Sequence, residues 1–175
     1  GQFYTPSEVS RVMAKVLSIH DATNKTTFYD PTCGSGSLLL KAVDEADGKG
    51  TIYGQEKDVA TAALARMNMI LHGIESPNIY KLNTLTQNIR DFQEKDRYTY
   101  ILANPPFGGK EKSTVLNNFI VESTATELLF LQHFMKKLAL GGHCAIVIPE
   151  GVLFQTNNAF TSVKQDLLDN FNLHT

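Results

Sequence analysis

The run Thr27-Phe28-Tyr29-Asp30-Pro31-Thr32-Cys33-Gly34-Ser35-Gly36-Ser37 carries a β-type segment straight into a glycine-rich turn. An apolar helical face follows over about residues 37–46. A strand, a glycine turn and a helix in that order bring backbone N–H groups up to a ligand at the helix start. Outward from this unit the alternation repeats. Residues 51–54 predict a second strand closed by Gln55-Glu56, and Val59–Leu71 a helix with His72-Gly73 at its C-terminus. Residues 78–82 predict a third strand and Tyr98–Ala103 a fourth. Residues 127–140 predict an amphipathic helix ended by Gly141-Gly142, and residues 143–148 a fifth strand bounded by Pro149. Upstream, Thr5-Pro6-Ser7-Glu8 fits a capping box, with Thr5 as N-cap, Pro6 at the first helical position and Glu8 reaching back. Val9, Val12, Met13, Val16 and Leu17 follow at helical spacing.

Strands alternating with helices predict an α/β fold, a mostly parallel, doubly wound sheet. Such sheets bind ligands at the carboxyl ends of their strands, near the point where strand order reverses. The polar clusters of this chain fall at those ends. A helix over Asn158–Asn170 should lead to another strand, yet the chain ends at Thr175, so the sheet is expected to be truncated at its C-terminus.

At 175 residues the chain is expected to form one domain, residues 1–175, with 42% hydrophobic and 19% charged residues excluding a disordered or collagen-like polymer. Sixteen Lys plus Arg against eighteen Asp plus Glu give a net charge of −2, without a single-sign block. If the chain acts on nucleic acid, another component supplies most of the grip. Cys33 and Cys144 lack metal-site spacing and read as small core residues in a reducing cytoplasm; no metal is expected. No apolar run approaches the about 18 residues of a membrane span, and a cytoplasmic location without membrane contact is expected.

A dinucleotide fingerprint would place Gly or Ala three positions after Gly36, where this chain has Leu39. Asp30, directly before the loop, would repel a pyrophosphate but suits a cofactor bearing positive charge, such as the α-amino group and sulfonium of S-adenosylmethionine. Loop amides remain for that cofactor's carboxylate. Glu56 ends strand two, 22 positions after Gly34, near the spacing of an acid that bonds ribose hydroxyls. Gly34 and Gly36 also fit a plain tight turn, and Glu56 a surface carboxylate before the helix cap Asp58. Asn83, after strand three, fits adenine binding or turn chemistry equally.

Asn104-Pro105-Pro106-Phe107 follows strand four. Adjacent prolines fix φ and remove two donors, so the segment presents carbonyl oxygens and the Asn104 amide to an NH₂ group. Two hydrogen bonds, to the Asn104 side-chain oxygen and the Pro105 carbonyl, would draw an exocyclic amine toward tetrahedral geometry and aim its lone pair. Phe107 would stack on a base turned out of the duplex, and Gly108-Gly109 would let the loop move. His20, His72, His133 and His143 read as helix-end or surface residues without a role. Met67 and Met69 read as helix surface and core.

With those residues in place, the chain resembles the catalytic core of an adenine-N6 DNA methyltransferase, the modification (M) subunit of a type I restriction-modification system. The similarity runs from Gly1 to about Phe160. Gly1-Gln2-Phe3-Tyr4-Thr5-Pro6 resembles the family's first cofactor motif, Asp30 to Gly36 its glycine motif, Gln55-Glu56 its ribose-binding acid and Asn104 to Phe107 its catalytic motif. Gly141-Gly142-His143 into Ile146 to Phe154 resembles a late strand and turn on the target-base side. The resemblance implies a Rossmann-like fold that binds S-adenosylmethionine through Tyr4, Thr5, Pro6, Asp30, Thr32, Gly34, Ser35, Gly36, Glu56 and Asn83. It also implies double-stranded DNA with a flipped adenine as substrate, and specificity (S) and restriction (R) subunits as partners. The family's N-terminal helical region and last strands are absent from this sequence, so the chain alone is not expected to choose a DNA sequence. Similar loops serve methyltransferases of RNA guanine or protein glutamine, and a silent nucleotide-binding module using NAD is a third reading.

Overall fold

In the first strand, β1 (Thr27–Asp30), neighbouring aromatic residues pack into different cores. Phe28 joins Met13, Leu17, Leu38, Leu39, Ala62 and Met69 on one face, and Tyr29 joins Leu129, Phe130 and Phe134 on the other. The same period of two sends Tyr100 and Leu102 to the first core and Ile101 and Ala103 to the second. A strand buried on both faces must be covered on both, which is the condition for a parallel sheet between helical layers.

The computed structural model describes residues 4–174, so Gly1, Gln2 and Phe3 of the expected cofactor motif lie outside the described residues. The helices are α1 (Ser7–Val16), α2 (Ser37–Glu45), α3 (Val59–Leu71), α4 (Ser113–Leu116), α5 (Thr126–Lys137), α6 (Gly151–Phe154) and α7 (Asn158–Asn170). With β2 (Thr51–Glu56), β3 (Asn78–Lys81), β4 (Tyr98–Ala103) and β5 (Leu138–Ile146) they form a five-stranded sheet ordered β3-β2-β1-β4-β5. Every pairing is parallel. Strand order reverses between β1 and β4, as a doubly wound, Rossmann-like sheet requires. α1, α2 and α3 supply the first core and α5 the second. α7 packs on the outer side of α5 through Phe160 and Val163.

Two local expectations are corrected. α1 begins at Ser7 with Pro6 as its N-cap and has no side-chain capping bond, because the Thr5 hydroxyl is engaged by Asn104 instead. α5 stops at Lys137 rather than continuing to residue 140, and Gly141-Gly142 lie inside β5. There they absorb a register jump: Leu138 pairs with Tyr98, but His143 is already opposite Tyr100. Gly141 has φ +73°, and a Cβ on Gly142 would lie 2.7 Å from the Thr99 carbonyl oxygen and 2.9 Å from that of Ala139. Both glycines therefore serve a β-bulge, not a helix stop. Asp58 does cap α3, accepting from the Thr61 N–H at 2.8 Å.

Because both obstacles to a Gly142 side chain are backbone atoms, neither can swing aside. Gly142→Ala is expected to lower unfolding free energy by about 2 kcal/mol in urea titrations; an unchanged midpoint would show that the bulge tolerates a Cβ.

Candidate active site

The carboxyl ends of β1 and β4 meet at the reversal of strand order, and each delivers one polar side chain there. From β1 comes Asp30, only 1% exposed. Its Oδ1 accepts from the Thr32 N–H at 2.9 Å and the Thr32 hydroxyl at 3.4 Å. Burial raises this carboxyl from an ordinary 3.8 to about 7; the Thr32 bonds oppose the shift and the nearby Glu56 charge adds to it.

Between β1 and α2 the chain makes the glycine turn. The Gly36 N–H donates to the Cys33 carbonyl at 2.7 Å, and the Cys33 N–H to the Gln55 carbonyl at 2.9 Å. Gly36 has φ +80°, and a Cβ there would stand 2.2 Å from Met69 Cε, so the turn rests directly on α3. Asn68 of α3 donates to the Ser35 carbonyl at 2.9 Å. Gly34, φ +54°, faces open space instead, with nothing within 4 Å of where its Cβ would be. Burial pushes the Cys33 thiol up, so it stays protonated and unreactive beside the loop.

Glu56 is joined to this turn. Its Oε2 accepts from the Gly34 N–H at 3.1 Å, and its Oε1 from the Asp58 N–H at 2.8 Å. Asn83 performs turn chemistry, its Oδ1 accepting from the Leu85 N–H at 3.2 Å across the 3-10 turn Thr84–Thr86. Its amide NH₂ is not used in that bond.

From β4 comes Asn104. Its Nδ2 donates to the Thr5 hydroxyl at 3.1 Å. With one N–H of the amide directed at Thr5, Oδ1 is left to accept. The next residues diverge in exposure, with Pro105 buried and Pro106 exposed. Phe107 is 41% exposed. The Pro106 carbonyl accepts from the Thr126 hydroxyl at 3.5 Å. Gly108 has φ +69°, while Gly109 is close against Thr126, so only the former supplies conformational freedom.

These ends border a small cleft, open to solvent, lined by Tyr4, Thr5, Asp30, Thr32, Gly34, Ser35 and Asn104. Cys33, Ser37 and Leu38, which the sequence did not single out, complete the lining. Pro6, Gly36, Glu56, Asn83 and the segment Pro105 to Phe107, expected at the site, are not part of that lining. Among the described residues there is no cluster of His, Cys, Asp or Glu able to hold a metal, and no helix is long and apolar enough to cross a membrane.

One residue was misjudged outright. His133 is fully buried in the middle of α5, not at a helix end or on the surface. Burial, with the Lys137 charge nearby, pushes its imidazole down to about 3, so it is neutral at physiological pH. A signal did exist: apolar residues occupy more than one stripe of α5, from Leu128 to Leu131 and again at Phe134, so the helix is covered on two sides and its polar residues are inside.

A parallel sheet whose order reverses between β1 and β4, with an acidic β1 end and an Asn-Pro-Pro-Phe segment after β4, defines a Rossmann-like α/β protein. The profile of the N-6 DNA methylase family matches residues 1–175, and the chain belongs to that family. It is 36% identical over 190 residues to the type I restriction enzyme EcoEI methylase subunit of Escherichia coli, covering 100% of this chain and 38% of that protein. A chain of a solved type I R-M system superposes with a TM-score of 0.89 at 40% identity, covering 98% of this chain and 37% of its own length. The type I restriction-modification system methyltransferase subunit of Streptococcus thermophilus superposes with a TM-score of 0.84 at 34% identity, covering 97% and 39%. The chain thus spans about two fifths of the length of these relatives.

The raised Asp30 carboxyl fixes a pH dependence. The folded state holds this proton more tightly than the unfolded chain, so the contribution of Asp30 to stability is largest below about pH 4, falls as pH rises to about 7 and is level beyond. Asp30→Asn is expected to remove that slope and to exceed wild-type stability above pH 7 by a margin on the order of a few kcal/mol. Urea unfolding of both proteins at pH 5 and pH 8 measures it; a parallel pH response in the two would overturn the assignment.

Proposed function

We propose that this chain is the methyltransferase catalytic domain of a type I modification subunit, transferring a methyl group from S-adenosylmethionine to adenine N6 in double-stranded DNA. The observation that carries the reading is Asn104 at the reversal of strand order, its Nδ2 tied to Thr5 and its Oδ1 left to accept, beside the buried Asp30. When bound, S-adenosylmethionine supplies an electrophilic methyl group on its sulfonium.

The residues of the cleft fit that cofactor. A buried carboxyl whose charge is disfavoured by desolvation gains most from a cationic partner, and Asp30 would receive the α-amino group. Gly34, with open space before it, allows close approach, while Thr32, Ser35 and Gly36 shape the turn. Glu56 would accept from ribose hydroxyls, the Asn83 amide would face the adenine ring, and Tyr4, Thr5 and Pro6 would border the cofactor from the opposite side.

On the acceptor side, Asn104 Oδ1 and the Pro105 carbonyl would accept the two N–H bonds of the target amine. This draws electron density out of the ring and onto the nitrogen. An amide oxygen is too weak a base to remove the proton first, so attack precedes proton loss. Phe107 and Pro106, both exposed, would stack on the flipped adenine. With a net charge of −2, the chain relies on a specificity subunit for DNA affinity and sequence choice, and on a restriction subunit for cleavage, in a cytoplasmic complex that needs no metal for methyl transfer.

The test is methyl incorporation by the full-length chain with its specificity subunit, offered DNA, RNA and protein acceptors side by side. Label in DNA adenine is expected, and Asn104→Ala should lower kcat/KM about a hundredfold or more. Thr5→Val should lower kcat about tenfold and Thr5→Ser restore it, since only the hydroxyl orients the Asn104 amide. Label in RNA or protein without label in DNA would overturn the reading. Calorimetric titration adds a second check: affinity for S-adenosylmethionine should rise from pH 6 to pH 8, with proton release below about pH 7, and Asp30→Asn should lose both.

A further inference from the structure

Beneath the cleft, on the α5 side of the sheet, Tyr29, Gln55, Thr84 and His133 touch one another, none more than 7% exposed. The Tyr29 hydroxyl donates to Gln55 Oε1 at 2.9 Å and is hydrogen-bonded to His133 Nε2 at 2.8 Å. The Thr84 hydroxyl lies 2.8 Å from the same Gln55 oxygen and 2.5 Å from the Pro31 carbonyl. No function described above uses these side chains.

Their places in the chain are informative. Tyr29 precedes Asp30, Gln55 precedes Glu56, and Thr84 follows Asn83. Neighbouring residues of a strand face opposite sides of the sheet. A bond between Tyr29 and Gln55 on the α5 side therefore fixes the spacing of Asp30 and Glu56 on the cleft side. Thr84 adds the turn after β3 and, through the Pro31 carbonyl, the first residue of the glycine turn. His133 anchors the set to α5 although its Nδ1 is left without a partner. An apolar core could fill this volume without an orphaned atom, but it would impose no such directions.

We propose that Tyr29, Gln55, Thr84 and His133 are positioning residues, whose buried network sets the mutual placement of Asp30, Glu56 and Asn83 and through it the affinity for S-adenosylmethionine. The inference rests on the cofactor reading above and names residues that never touch the cofactor.

The experiment uses the full-length chain with its specificity subunit at saturating DNA, and compares wild type with Thr84→Val, Thr84→Ser and Tyr29→Phe. Thr84→Val keeps the side-chain shape and loses the hydroxyl, Thr84→Ser keeps the hydroxyl, and Tyr29→Phe keeps the ring stacked on Tyr98. Thr84→Val and Tyr29→Phe should each raise the KM for S-adenosylmethionine about tenfold with kcat within about twofold of wild type, and Thr84→Ser should behave as wild type. A merely structural role would lower kcat through loss of folded enzyme and leave KM alone; that result overturns the proposal. So does failure of both Thr84→Val and Tyr29→Phe to fold by circular dichroism, which would make the network a requirement for folding. Wild-type protein that does not bind S-adenosylmethionine overturns the cofactor reading and this inference together, whereas wild type and variants binding alike overturn the inference alone.

Discussion

Strand β1 is paired on both edges, to β2 through Thr27–Asp30 and to β4 through Phe28 and Tyr29, and the cleft exists because of that double pairing. The two neighbours come from opposite halves of the winding. Connections from one side of β1 run over the α2 and α3 face, and those from the other run over α5. No helix can therefore cover the carboxyl end of β1 from both directions, and the gap left between the β1 and β4 ends is the cleft. What the sequence must then supply is a polar residue at each end that tolerates the gap: Asp30 on one strand, Asn104 after the other.

Those two residues are held by contrasting means. Asp30 is bound within its own turn through Thr32, two residues on. Asn104 is held by Thr5, 99 residues away. The first arrangement is set once the turn forms; the second exists only when α1 is docked on α2. A carboxyl shielded from water and an amide oriented from a distance give the cleft a polarity that water alone would not stabilise, and a cationic ligand would relieve the first of these tensions.

Much of this was legible in the residue order. α3, β4 and α7 fall at their expected bounds because their limits are marked locally, by the Asp58 cap, by the Asn-Pro break and by the Asn157 cap. The acid, the glycine turn and the Asn-Pro-Pro-Phe segment were readable because each ends a strand. Other features depend on partners far along the chain. Thr5 looks like a cap because Pro6 and Glu8 follow it, and only Asn104 redirects its hydroxyl. Gly141-Gly142 look like a helix stop until Thr99 of β4 is seen crowding them. The long-range contacts of His133 are Tyr29 of β1 and Phe92 in the segment before β4, and no neighbour in sequence announces them.

The separation of Thr5 from Asn104 also bears on how the chain is made. During synthesis β1, β2 and β3 emerge first and can pair through short crossovers, but one face of that half-sheet, including Tyr29, stays bare until α5 follows at residues 126–137. The β4 edge of β1 is also unpaired until residues 98–103 emerge. A ribosome adding about 5–20 residues per second would leave this apolar face and open edge in solvent for several seconds. The nascent domain is thus most prone to misassociation when it is half made, and the same late docking that closes the sheet also completes the cleft.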